Sequence, residues 1–103
     1  MTKPIEATDA DYSEKMAGAS GLMLFYKKIC PHCKALKKVV EKFSNAMPDG
    51  VIIQINSEEN PGAMTELDIS RVPTLLIFKN GEIKTRKAGL MNLRQMTALY
   101  QSV

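Results

Sequence analysis

Leu22-Met23-Leu24-Phe25-Tyr26-Lys27-Lys28-Ile29-Cys30-Pro31-His32-Cys33 changes periodicity part-way along, and that change decides the fold. Leu22 to Tyr26 is an unbroken apolar run of five residues, bounded by Gly21 and Lys27. A run that short, without alternation, suits a strand covered on both faces. From Cys33 onward the apolar positions are Cys33, Leu36, Val40, Phe43 and Met47. Spacings of three and four put them on one stripe of a helix, with lysines 34, 37, 38 and 42 around it. Pro48-Asp49-Gly50 is expected to stop that helix.

Outward from this segment the same alternation repeats. Asp9 to about Gly18 predicts a helix, with Tyr12 and Met16 four apart. Val51-Ile52-Ile53-Gln54-Ile55 is a second buried strand, and Ala63 to Leu67 a short helix after Asn60-Pro61-Gly62. Thr74-Leu75-Leu76-Ile77-Phe78 is a third strand. Asn80-Gly81 is a hairpin turn signal, so Glu82 to Lys87 should return antiparallel. Asn92-Leu93-Arg94-Gln95 opens a last helix, with Gln95 placed to reach back to the cap. Lys3 to Ala7 is expected to add an edge strand. Strands joined through helices pair in parallel, whereas the hairpin pairs antiparallel. The expected fold class is α/β: three layers, α/β/α, around a mixed sheet of four to five strands.

The chain has 103 residues, so 1–103 is read as one domain. Its 45% hydrophobic and 24% charged residues match a soluble globular protein. The net charge of +3 is mild and spread out, and no arginine block or aromatic ladder supports nucleic-acid binding. No apolar run approaches the ~20 residues of a membrane span, so no membrane partner is expected. The opening residues, with Glu6 and Asp9, do not read as a secretory signal, so a cytoplasmic location is expected. The seven methionines are scattered and read as core filler.

The two cysteines close too small a loop to be a useful structural staple. Cellular reductants keep most cytosolic thiols reduced, so a close pair there reads as redox-active or metal-binding. Pro31 suits the first helical position, where its missing N–H would have no partner anyway. Cys30 is then the cap residue, its sulfur facing the free N–H groups of His32 and Cys33 and the positive helix end. Both favour the thiolate, which is the nucleophile. Cys33 lies one turn in, on the core-facing stripe, as the shielded partner. The pair is suited to attack a disulfide through Cys30 and to resolve the mixed disulfide through Cys33. A protonated His32 beside the sulfur would stabilise the thiolate further and raise the reduction potential. A zinc site needs four ligands, and His32, Cys30 and Cys33 cannot all converge from one helical turn; no metal is expected.

Phe25-Tyr26-Lys27-Lys28-Ile29-Cys30-Pro31-His32-Cys33-Lys34 resembles the active-site segment of the thioredoxin family. Arg71-Val72-Pro73-Thr74-Leu75-Leu76-Ile77-Phe78-Lys79-Asn80-Gly81 resembles the family's cis-proline segment, and Asn60-Pro61-Gly62 and Gly89 fall at matching places. The resemblance runs from about Leu22 to Tyr100. On its residues alone, Pro73 reads as a trans-proline opening a strand. The resemblance implies instead that it is cis and lies against the cysteines. It also implies substrate-binding roles for Ile29, Val72, Pro73, Thr74, Gly89 and Leu90, with the Val72 backbone open to an added strand.

The implied activity is reduction of protein disulfides by a monomer that needs no cofactor beyond the Cys30–Cys33 dithiol. The implied partners are protein disulfides and an electron donor of the thioredoxin reductase type. Three alternatives stand beside it: an oxidase or isomerase favoured by His32, a dimer bridging a metal or iron–sulfur cluster, and a non-catalytic binding module.

The chain also departs from the family. Ile29 replaces the usual Trp, and Pro31-His32 replaces Gly-Pro. Leu24 and Gln54 occupy the places of a buried Asp and its Lys partner, which puts assisted deprotonation of Cys33 in doubt. Lys38 stands near the position of a helix-bending proline. Cys-Pro-His-Cys is typical of periplasmic dithiol oxidases, but those carry an inserted helical domain absent here. Glutaredoxins carry a Gly-Gly pair where Asn80-Gly81 stands.

Overall fold

The structure is a computed structural model and describes residues 1, 3–47 and 49–103. In chain order the elements are β1 (Ile5–Ala7), α1 (Tyr12–Met16), β2 (Gly21–Tyr26), α2 (Pro31–Ala46), β3 (Val51–Asn56), α3 (Pro61–Glu66), β4 (Thr74–Lys79), β5 (Glu82–Ala88) and α4 (Leu93–Gln101). They form one five-stranded sheet in the order β1-β3-β2-β4-β5. β1 and β2 both run parallel to β3, whereas β4 is antiparallel to β2 and to β5. The expected mixed sheet is therefore present at its upper count of five, with β1 at one edge and β5 at the other.

Side chains on a strand alternate between faces, and the inner strands β2, β3 and β4 are covered on both. Leu22, Leu24, Ile52, Leu75 and Ile77 meet Leu36, Val40 and Phe43 of α2 and Met96 of α4 on one face. Met23, Phe25, Ile53, Ile55, Leu76 and Phe78 meet Tyr12 of α1, Ala63 of α3 and Ile69 on the other. This two-sided burial is why β2 to β4 read as continuous apolar runs. Across the outer layer, Phe43 and Tyr100 pack edge to face with centroids 5.3 Å apart.

Asn80 (φ 53°) and Gly81 (φ 77°) make the expected hairpin turn, both in the left-handed region such a turn requires. Asn92 accepts from the Gln95 N–H at 2.8 Å, and Gln95 returns the bond to the Asn92 N–H at 2.9 Å. The predicted capping box is thus formed.

Two helix starts differ from expectation in ways the hydrogen bonds explain. α1 starts at Tyr12, not Asp9, because Thr8 and Asp11 close a turn first: the Thr8 N–H donates to Asp11 Oδ1 at 2.7 Å. Asp9 is instead turned to the start of α3, where its carboxylate accepts from the N–H groups of Gly62 and Ala63. That capping lets α3 begin at Pro61, two residues before the expected start. The stop assigned to Pro48-Asp49-Gly50 falls partly on residue 48, outside the described residues; α2 itself ends at Ala46.

Candidate functional site: the Cys30–Cys33 pair

β2 ends in the sheet at Tyr26, and after four intervening residues the chain enters α2 at Pro31. Cys30 is the N-cap, with extended backbone (φ −157°, ψ 104°), and Pro31 occupies the first turn. The Cys30 carbonyl accepts the first helical bond from the Lys34 N–H at 3.1 Å. Cys30 Sγ accepts from the Cys33 N–H, also at 3.1 Å. The sulfur therefore takes the position usually held by a Ser or Asp oxygen, satisfying a helix-end donor with a group that becomes an anion. Of the two N–H groups expected to face Cys30 Sγ, Cys33 supplies the one bonded to it.

The two sulfurs are joined, with Cα atoms 5.2 Å apart, inside the usual span for a disulfide. Their exposures differ as the helical stripe implies. Cys33 is 1% exposed, whereas Cys30 is only partly buried.

The Val72–Pro73 peptide is cis. Pro73 is buried, and its carbonyl accepts from the Gly89 N–H at 2.8 Å, tying the start of β4 to the end of β5. A shallow depression of about 360 Å³ is lined by Lys27, Ile29, Cys30, Pro31, His32 and Val72. The fold thus brings Val72 to the cysteine side, across some forty residues of sequence. Among the described residues no hydrogen bond engages the Val72 N–H or C=O. Ile29 is 87% and Leu90 48% exposed, both high for large apolar residues. Gly89 (φ 87°) has open space where a side chain would begin. Thr74 lies differently: it is buried, and its hydroxyl donates to the Arg71 carbonyl at 2.7 Å. Its side chain braces the loop rather than facing outward.

Sequence reasoning missed a second arrangement, on the β1–β3 side of the sheet. Gln54 Nε2 donates to Glu6 Oε1, and the Tyr26 hydroxyl donates to Glu6 Oε2, both at 2.8 Å. Lys37 Nζ sits 3.5 Å from the centroid of the Tyr26 ring. Burial, followed by the Glu6 carboxylate, pushes the Tyr26 phenol up to about 12. Nothing local signals this cluster, because Glu6 and Gln54 are 48 residues apart and meet only through β1–β3 pairing. Leu24, Lys37 and Gln54 share a larger hollow of about 400 Å³ between β3, α2 and the start of the chain. Neither sulfur lines it, so the chemistry stays with the shallow depressions at Cys30.

Among the described residues, no three His, Cys, Asp or Glu side chains cluster as a metal would need, and no helix is long and apolar enough to cross a membrane.

Residues 3–102 match the family model described as Thioredoxin. The chain belongs to the thioredoxin family. It is 34% identical over 95 residues to a thioredoxin of Buchnera aphidicola subsp. Acyrthosiphon pisum, covering 89% of this chain and 88% of that one. It is 47% identical over 62 residues to a thioredoxin of Methanocaldococcus jannaschii, covering 59% of this chain and 71% of the relative. In structure it is similar to desulfothioredoxin from Desulfovibrio vulgaris Hildenborough, solved in solution in its reduced form. The TM-score is 0.84 at 35% identity, covering 96% of this chain and 97% of the other. With the cysteines at disulfide distance on this fold, the chain is an oxidoreductase of the thioredoxin type, acting by thiol–disulfide exchange.

Proposed function

We propose that this thioredoxin-family chain reduces protein disulfides, with Cys30 as nucleophile and Cys33 as the resolving thiol. The observation that carries this reading is the asymmetry of the pair. The accessible sulfur caps the helix and accepts the Cys33 N–H, and the other is buried. Only the first can meet a client, and only the second is held in reserve beside it.

Starting from the dithiol, the Cys30 thiolate attacks one sulfur of a client disulfide. That S–S bond breaks, a Cys30–client bond forms, and the departing client thiolate takes a proton from water. Cys33 then loses its proton and attacks Cys30 Sγ, releasing the second client thiolate. Two electrons pass to the client and the Cys30–Cys33 disulfide remains. An external dithiol, supplied by a flavin-dependent donor of the thioredoxin reductase type, restores the starting state. The dithiol carries both electrons, so the step calls for no bound cofactor, and one copy of the chain contains every group used. We place this activity in the cytoplasm.

Val72, with its backbone groups unengaged beside Cys30, supports docking of an extended client segment by strand addition. Ile29, Gly89 and Leu90 supply the open apolar surroundings, and Pro73 and Thr74 hold the loop in place.

His32 favours a second reading, in which the exchange runs toward client oxidation. It is exposed and lines the same depression as Cys30, and as a cation it would favour the thiolate and a more oxidising pair.

Insulin reduction driven by dithiothreitol tests the activity: turnover is expected, and a Cys30→Ser variant should lose it. Redox titration against glutathione tests the direction. A midpoint at or below roughly −250 mV supports a reductase, whereas one near about −120 mV moves the assignment to an oxidant.

A further inference from the structure

Cys30 lies where two depressions meet, and lysines line both. Lys27 and His32 line one; Lys28 and Lys34 line the other, together with Ile29 and Pro31. Among the described residues no carboxylate lines either. All three lysines are exposed. Among the described residues the salt bridges are Lys15–Asp11 and Lys84–Glu82, so the three ammonium groups are not committed to partners within the chain. Glu58 accepts from the backbone N–H of Lys28 at 3.4 Å, yet it lines neither depression. Lys37 and Lys79 are different, for each rests its ammonium on a tyrosine ring.

We propose that this lysine collar selects its disulfides by charge, favouring an extended peptide segment with Asp or Glu close to the reacting cysteine. This rests on the reductase reading above and adds the class of client to it. The chemistry gives the collar a purpose. A carboxylate near a disulfide repels the attacking thiolate, and lysines around the site offset that repulsion and raise the encounter rate. Ile29 offers an apolar contact between the lysines, so the segment should be acidic beside the cysteine and tolerate an apolar residue against Ile29. Basic segments meet like charge on both sides and are disfavoured.

The test uses the reduced protein and three disulfide-linked peptides of one length, whose cysteines are flanked by Asp, Gly or Lys. Each rate is divided by the rate with dithiothreitol, which also attacks as a thiolate but carries no lysines, so the ratio isolates what the protein surface adds. At low salt the Asp-flanked peptide is expected to lead the Lys-flanked one by about tenfold. The lead should shrink toward parity in about 0.5 M salt as screening takes hold. In a Lys28→Glu/Lys34→Glu variant the order should reverse.

Equal normalised rates at low salt would overturn the collar proposal while leaving the reductase reading intact, since all three peptides would still be reduced. Failure to reduce any of them would overturn both. The salt series on the unaltered protein decides the matter even if the double variant does not fold.

Discussion

Leu24 and Gln54 are direct register partners across the parallel β2–β3 pair. These are the two positions where the family resemblance implies an Asp and a Lys. Both substitutions therefore fall at one place in the sheet, and both side chains line the hollow that Lys37 shares. Where the resemblance implies an ion pair, this chain sets an apolar residue beside an amide, and the amide is held by Glu6.

Restoring only the acid should be costly. Leu24 is 1% exposed and packed among Leu36, Val40 and Ile52. Leu24→Asp is expected to destabilise by at least about 3 kcal/mol, because an unpaired carboxylate replaces a packed side chain. Adding Gln54→Lys should recover about 1–2 kcal/mol of that loss. Urea denaturation of the two single variants and the double variant measures the coupling; a double variant no more stable than additivity requires would contradict the register argument.

In the reduced protein, Cys30 should react with iodoacetamide at least about tenfold faster than Cys33 at neutral pH, since only one sulfur is reachable and capped by an N–H. A Cys33→Ser variant should accumulate as a mixed disulfide with client, visible by mass spectrometry. Comparable alkylation of both sulfurs would contradict the assigned roles.

Alkali should weaken the fold through two tyrosines. Tyr12 and Tyr26 are each pushed from 10.0 to about 12, first by burial and then by the carboxylates of Glu66 and Glu6. A raised value means that the folded state holds the phenolic proton more tightly than the unfolded chain. That stability is fully present below pH 10 and is lost as pH rises toward about 12. Absorbance titration of the phenolates should show all three tyrosines ionising late, since burial and then Asp49 also raise Tyr100. Glu6→Gln should lower one of them only in part, because burial is the larger cause.

Gly21→Ala should be among the most damaging small substitutions. A Cβ there would lie 1.8 Å from the Val51 carbonyl oxygen, and the adjacent Val51 N–H already donates to Ser20 at 2.9 Å. The central β2–β3 pair would have to part, at an expected cost of about 3 kcal/mol or more. Asn92→Ala, which removes one half of a capping box on the surface, should cost only about 1 kcal/mol. Thermal melts of the two variants side by side test the ranking.

The elements and the chemistry were legible in the sequence because they depend on neighbours. The apolar runs of β2, β3 and β4, the stripe of α2, the Asn80-Gly81 turn and the Asn92–Gln95 cap each involve residues at most a few turns apart. So does the sulfur at the head of α2, since Pro31 fixes both where the helix begins and which cysteine caps it. What lay beyond reach depends on pairing between distant strands. Asp9 reads as the opening of its own helix, but it caps α3, more than fifty residues on. Glu6 meets Gln54 only because β1 lies beside β3. Thr74 belongs to the recognised motif, yet its side chain turns inward to Arg71. The lysines were visible as residues, but not as a collar, until the loop before α2 gathered Lys27 and Lys28 with Lys34 around one sulfur. Periodicity records which face a residue takes, because burial acts on every side chain alone. Which faces then meet is decided by the sheet order, and a chain read residue by residue does not contain that order in any local form.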